Sequence, residues 1–166
     1  LLDQAFEIVA TVDLAGDRHA QKLIAKLGEQ FLRRGQDQLL GRRAALNGVA
    51  AIGAASLVVN QPMKLAGNRD RPDREGHAVP EARWVPMPTS TSFPSGHSAS
   101  ALAFAVAVGD VIPALRWPLR VAGGTVAFSR VYTGVHYPGD VLVGAATGAL
   151  LGRLVSRRFA RRRARH

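Results

Sequence analysis

Between Ala44 and Met63 the chain carries no charged side chain, and only Asn47, Asn60 and Gln61 are strongly polar. As a helix, a run of about 20 residues is about 30 Å long, which matches the hydrocarbon core of a bilayer. Three more apolar runs follow. Residues 98–115 are broken only by Asp110 and Pro113 near their end. Residues 117–135 carry Arg120 near the start and Ser129-Arg130 near the end. Residues 138–155 carry Asp140 at the start and Arg153 at the end. The segments between the runs are rich in Pro, Gly and charge, which punctuate helices. Four such runs can be the core helices of a soluble bundle or the helices of a membrane protein. Their apolar content is mostly Ala, Gly and Val, with 17 glycines in the chain. Small residues of this kind let helix backbones approach closely.

Charge decides between the two. The chain has a net charge of +10, and its arginines are not scattered. Arg33, Arg34, Arg42 and Arg43 precede the first run. Arg116 and Arg120 mark the turn between the second and third. Arg153, Arg157, Arg158, Arg161, Arg162, Arg163 and Arg165 follow the fourth. Four crossings place all of these on one side, and the positive-inside rule makes that side cytoplasmic. The expected fold is therefore all-α: a membrane-embedded helical bundle with at least four spanning helices, about 44–63, 98–115, 117–135 and 138–155. Residues 18–34 add an amphipathic helix, with Leu23, Ile24, Leu27, Phe31 and Leu32 at helical spacing. Such a helix lies at the interface or covers the bundle. One domain is expected over 1–166, made of a lead-in (1–43), the bundle (44–155) and a basic tail (156–166). The arginine tail also fits a nucleic-acid arm. It directly follows an apolar run, so anionic headgroups are the simpler partner, and no nucleic acid is expected. The chain has no Cys, which excludes disulfides, a thiolate nucleophile and Cys-ligated metal.

The opposite end gathers the chemistry. Lys64 and, seven residues on, Arg71-Pro72 leave the first run. Pro94-Ser95-Gly96-His97 leads into the second, with Ser95 as a helix N-cap and His97 in the first turn. Ser129-Arg130, His136 and Asp140 join the third run to the fourth, with Pro138 at a first-turn position. Basic residues disfavoured on an outer face are present there all the same. Lys64, Arg71 and Arg130 supply three positive charges, two of them planar forks suited to a phosphoryl group. Ser95 and the Gly96 and His97 N–H groups add donors at a helix N-terminus. Asp140 could take a proton from one nitrogen of His136 and leave the other free to attack. Each residue also has a plainer reading: Asp140 as an acid at a helix start, His136 as a turn residue, Arg130 as a snorkelling side chain. The convergence of all of them at one face favours chemistry.

The pattern Lys64-x6-Arg71-Pro72, Pro94-Ser95-Gly96-His97 and Ser129-Arg130-x5-His136-x3-Asp140 closely resembles the three-part signature of the type 2 phosphatidic acid phosphatase (lipid phosphate phosphatase) superfamily. The resemblance covers about residues 44–155. It implies a helical, metal-independent phosphatase that needs no cofactor. It implies that His136 is the nucleophile and forms a phosphohistidine, that His97 protonates the leaving oxygen, and that Asp140 orients His136. It also implies that Lys64, Arg71, Ser95, Gly96 and Arg130 hold the phosphate. Integral members usually have six spanning helices, and this chain offers four clear ones.

The expected function is hydrolysis of a membrane lipid's phosphomonoester or pyrophosphate. The candidate lipids are polyprenyl phosphate or diphosphate, phosphatidic acid and phosphatidylglycerol phosphate. The Ala/Gly/Arg/Val bias suggests a bacterial plasma membrane, with the site on the non-cytoplasmic face and the basic C-terminus in the cytoplasm. Vanadate-dependent haloperoxidases share these motifs and form one alternative. A basic membrane-anchored binding protein, in which the histidines are dispensable, forms another.

Overall fold

The structure, a computed structural model, describes residues 38–163, with side chains from 39 to 162. The amphipathic helix expected over 18–34 lies outside the described residues, as do Arg33, Arg34 and Arg165. Among the described residues all regular structure is helical. Four long helices form: α1 (Gln38–Val58), α2 (Gly96–Val111), α3 (Arg116–Tyr132) and α4 (Pro138–Arg163). α1 runs on through a π-helical turn, Val59–Met63, and a last α-turn, Lys64–Gly67. Pro62 lies inside the wide turn, where its missing N–H and its ring disturb regular α pairing. Asn68 then takes φ 23° and ψ 51°, which ends the helix and turns the chain toward Arg69.

Helix ends and apolar runs do not coincide. The run 98–115 is helical only to Val111, because Pro113 lacks an N–H and starts a 3-10 turn, Pro113–Leu115. α3 stops at Tyr132 rather than 135, where Gly134 takes φ +65° under the side chains of Val79 and Arg74. α4 continues to Arg163, so most of the expected tail is helix. Of the four expected spanning helices, two meet that description by themselves. Only Leu39–Gly67 and Pro138–Arg162 are long and apolar enough to cross a membrane by themselves, among the described residues. α2 has 16 residues, bracketed by its Ser95 cap and Pro113. α3 has 17 residues and is diluted by Arg116, Arg120, Ser129 and Arg130. In the two qualifying segments only 44% and 33% of the apolar window is buried, unlike the core helix of a soluble bundle. Leu57, Phe128, Leu142 and Leu150 all point outward, a surface suited to lipid.

α2 is the central helix and packs against α1, α3 and α4. Its seam with α1 is built of small side chains: Ala51, Ala55 and Val59 against Ala99, Ala103 and Ala107. Its seam with α4 is tighter still. Gly144, Gly148 and Gly152 sit on the carbonyls of Ser95, Ala99 and Ala103, where an added Cβ would come within 2.3, 2.0 and 2.4 Å. Only glycine at every fourth position lets the two backbones approach this closely. The composition pointed to close packing of this kind. The every-fourth-residue register was also readable, from Gly144, Gly148 and Gly152. This seam fixes the start of α2 against the start of α4, and so sets Ser95 beside Asp140. The Ser95 N–H donates to the Asp140 carbonyl at 3.0 Å.

Candidate active site

Five stretches meet at this end of the bundle: the exit of α1, the loop before α2, the start of α2, the turn after α3 and the start of α4. Asp140 is their junction and is fully buried. Arg69 Nη1 donates to its Oδ1 at 3.0 Å. Its Oδ2 accepts a short hydrogen bond from Ser92 Oγ and another from the Tyr137 N–H at 3.0 Å. A buried carboxylate is tolerable only when its oxygens are partnered in this way.

His136 lies beside it, 4% exposed. Its Nδ1 faces Asp140 Oδ2 at 3.7 Å, too far for a hydrogen bond, and has no other partner. Its Nε2 is 3.4 Å from Arg71 Nη1. A guanidinium can only donate, so this contact assigns the lone pair to Nε2 and the proton to Nδ1. Burial, more than the adjacent Arg71 charge, pushes the His136 pKa down to about 4, and the Asp140 charge only partly opposes this. The ring is therefore neutral near pH 7, with a nucleophilic lone pair.

Lys64 and Arg71 are gathered through Ser90. Lys64 Nζ donates to Ser90 Oγ at 2.9 Å, and Arg71 reaches the same oxygen from Nη2 at 3.2 Å. Arg71 also donates from Nε to the Ser90 carbonyl (2.9 Å) and from Nη1 to the Val135 carbonyl (2.8 Å). Partial burial pulls the Arg71 pKa below its usual value, and the Asp140 charge acts in the opposite direction. Arg130 is buried at the end of α3 and donates from Nε and Nη2 to Ser129 Oγ (3.1 and 3.0 Å). Its carbonyl receives the Val135 and His136 N–H groups, which fixes the turn that presents His136.

Ser95 caps α2 as expected, and its Oγ accepts from the Ser98 N–H and hydroxyl. Gly96 lies against Asn60 of the π-turn: a Cβ there would be 3.0 Å from Asn60 Oδ1. His97 is partly buried and close enough to His136 for its charge to lower that residue's pKa. All eight residues singled out in the sequence thus fall at one end of the bundle. Sequence reasoning missed Arg69, Ser90, Ser92 and Tyr137. The run Thr89-Ser90-Thr91-Ser92 directly before Phe93-Pro94 was a readable signal for the two serines. Among the described residues no three of His, Cys, Asp or Glu converge as metal ligands.

The family model described as PAP2 superfamily matches residues 45–164. The undecaprenyl-diphosphatase BcrC of Bacillus subtilis is 38% identical over 90 residues, covering 54% of this chain and 45% of that protein. The decaprenylphosphoryl-5-phosphoribose phosphatase of Mycobacterium tuberculosis is 44% identical over 82 residues, covering 49% and 42%. This chain thus spans less than half the length of these curated relatives. The crystal structure of LpxE from Aquifex aeolicus superposes with a TM-score of 0.59 at 25% identity, covering 94% of this chain and 86% of that one.

Proposed function

The chain belongs to the PAP2 superfamily, and from that premise we propose that it is a membrane lipid phosphatase working through a phosphohistidine on His136. The observation that carries this reading is the state of His136. It is buried and neutral, with Nε2 against Arg71 and Nδ1 facing Asp140.

The chemistry follows from that geometry. A phosphoryl group entering between Lys64, Arg71 and Arg130 takes the Arg71 N–H from Nε2 and frees its lone pair. Nε2 attacks phosphorus and the bond to the leaving oxygen breaks. His97 gives that oxygen its proton. As positive charge grows on the His136 ring, the Nδ1 proton closes on Asp140, which steadies the imidazolium. Water then attacks the phosphohistidine, His97 takes its proton, and phosphate leaves. Transfer of this kind depends on positioning and on charge stabilisation, both of which the basic groups supply.

The substrate is a lipid phosphate, and a polyprenyl phosphate or diphosphate is the favoured class. Both curated relatives described above act, by name, on polyprenyl lipids. The outward apolar side chains of α1, α3 and α4 support a membrane location with a lipid tail beside the bundle. We place α2 and α3 within the membrane as well, giving four crossings. The site is then on the non-cytoplasmic face and the arginine end in the cytoplasm, by the positive-inside rule.

Phosphate release in detergent with EDTA tests the proposal, over polyprenyl phosphate, polyprenyl diphosphate, phosphatidic acid and phosphatidylglycerol phosphate. Release by the wild type and none by His136→Ala is expected. Release that needs an added divalent ion, or that survives His136→Ala, overturns it.

A further inference from the structure

We propose that Arg69 is a positioning residue for the reaction, holding Asp140 and the Tyr137 turn so that His136 Nδ1 faces a fixed carboxylate. The inference rests on the reading of His136 as nucleophile. Arg69 lies outside the residues that carry the family resemblance, yet three separate contacts tie it to the site. Its guanidinium pairs with the buried Asp140 Oδ1 at 3.0 Å. The same guanidinium stacks over the Tyr137 ring, 4.7 Å from the centroid, next in sequence to His136. Its carbonyl accepts the Ser92 N–H at 2.8 Å, and Ser92 Oγ bonds Asp140 Oδ2. One residue at the exit of α1 therefore engages both carboxylate oxygens, one directly and one through Ser92.

The physical need is clear. Asp140 Oδ2 is already bonded to Ser92 and the Tyr137 N–H and stands 3.7 Å from His136 Nδ1. Its distance from the ring is set by its other partners. Without the Arg69 guanidinium the buried carboxylate would keep its Oδ2 partners but lose its paired charge, and would lean toward the nearest remaining donor, the His136 ring. The charged and titratable groups around His136 are Arg71 before the loop, His97 on α2, Arg130 on α3 and Asp140 on α4. Removing the Arg69 charge strengthens the pull of Asp140 on a His136 proton. That change moves the acidic limit of activity upward in pH.

The test compares Arg69→Ala and Arg69→Lys with wild type, with Arg83→Ala as control. Arg83 stacks on Tyr132 at 4.4 Å and contacts none of the site residues above. Two readouts are taken: kinetics on polyprenyl diphosphate in detergent, and the pH titration of His136 by nitrogen NMR of histidine-labelled protein. For Arg69→Ala, kcat should fall about 10–100-fold with KM little changed, the usual cost of losing a supporting partner. The His136 titration and the acid limb of kcat/KM should move up together. Arg69→Lys should restore most of both, and Arg83→Ala should match wild type. An unchanged titration and kcat in Arg69→Ala overturns the inference. So does a loss in which KM rises and the titration stays put. A wild type inactive on every lipid phosphate, with the His136 titration still moved by Arg69→Ala, sinks the proposed function and leaves the coupling standing.

Discussion

The two ends of the bundle use arginine in opposite ways. At the site end, Arg69, Arg71 and Arg130 are held by specific acceptors: a buried carboxylate, backbone carbonyls, a serine hydroxyl. At the far end, Arg153, Arg157, Arg158, Arg161 and Arg162 stand exposed on α4, without an ion-pair partner among the described residues. Four of them line a hollow of about 700 Å³ with Leu154 and Val155. Trp117, on the same end, is exposed and carries Arg120 over its ring, as interfacial aromatics do. One residue type thus serves two tasks. Position and hydrogen-bond geometry matter at the first end, where each guanidinium is directed. Charge alone matters at the second, where several arginines face outward together and suit an anionic headgroup layer. The difference teaches that net charge says little about this chain's chemistry, whereas the partners of individual charges say a great deal.

The sharpest break of that contrast is at the proposed nucleophile. His136→Ala should lower kcat by about 10⁴-fold or more, and His97→Ala by about 10²–10⁴-fold, measured as phosphate release. Asp140→Asn should cost about 10²–10⁴-fold in kcat while phosphate still binds, as seen by competition with inorganic phosphate. Activity retained in Asp140→Asn would mean that the junction beneath His136 is only structural.

The next effect lies in the packing that joins the two ends. Gly148→Val puts side-chain atoms into the Ala99 carbonyl, where even a Cβ would be 2.0 Å away. Thermal unfolding in detergent should show a loss of several kcal/mol, or no folded protein, on the scale of severe core overpacking. Gly124→Ala meets nothing within 4 Å and should stay within about 1 kcal/mol of wild type. A tolerant Gly148→Val would show that α2 and α4 need not touch for the site to form.

Acidity gives a smaller, graded test. The His136 pKa lies at about 4, below the ordinary 6.5, so its lone pair survives down to that pH. As pH falls through about 4 the ring gains a proton and the free lone pair is lost. After correction for substrate ionisation, kcat/KM should therefore turn down near pH 4. A limb near 6.5 would place His136 in water. The smallest effect is expected at the far end. Replacing Arg157, Arg158, Arg161 and Arg162 together by Gln should change detergent activity by less than about twofold, since exposed charges there touch no reacting group.

Much of this was legible in the residues, for reasons that differ by region. The four helices were visible because apolar runs of about 18–20 residues are too long for strands and suit helices. Their ends were less visible. Pro113 and Gly134 stop α2 and α3 early through backbone constraints that apolar content does not register. Helix α4 runs on because arginine is a good helix former. The clustering was legible wherever motif spacing carried it: Lys64, Arg71, Ser95, His97, Arg130, His136 and Asp140 all gather at one end. Arg69 was not, because its importance comes from a contact across 71 residues of sequence. The glycine register of α4 was present in the sequence as Gly144, Gly148 and Gly152. Its meaning appears only when Ala99 is seen on the other side.

The most direct test of the central claim is to trap the intermediate. The protein is mixed with substrate labelled in the transferred phosphate, quenched in alkaline detergent within a turnover, and counted on the separated chain. The account predicts a label that is stable in alkali, lost in acid, and carried by His136, absent from His136→Ala and retained longer in His97→Ala. Full turnover with no labelled protein at any time, or a label that persists in His136→Ala, would contradict it.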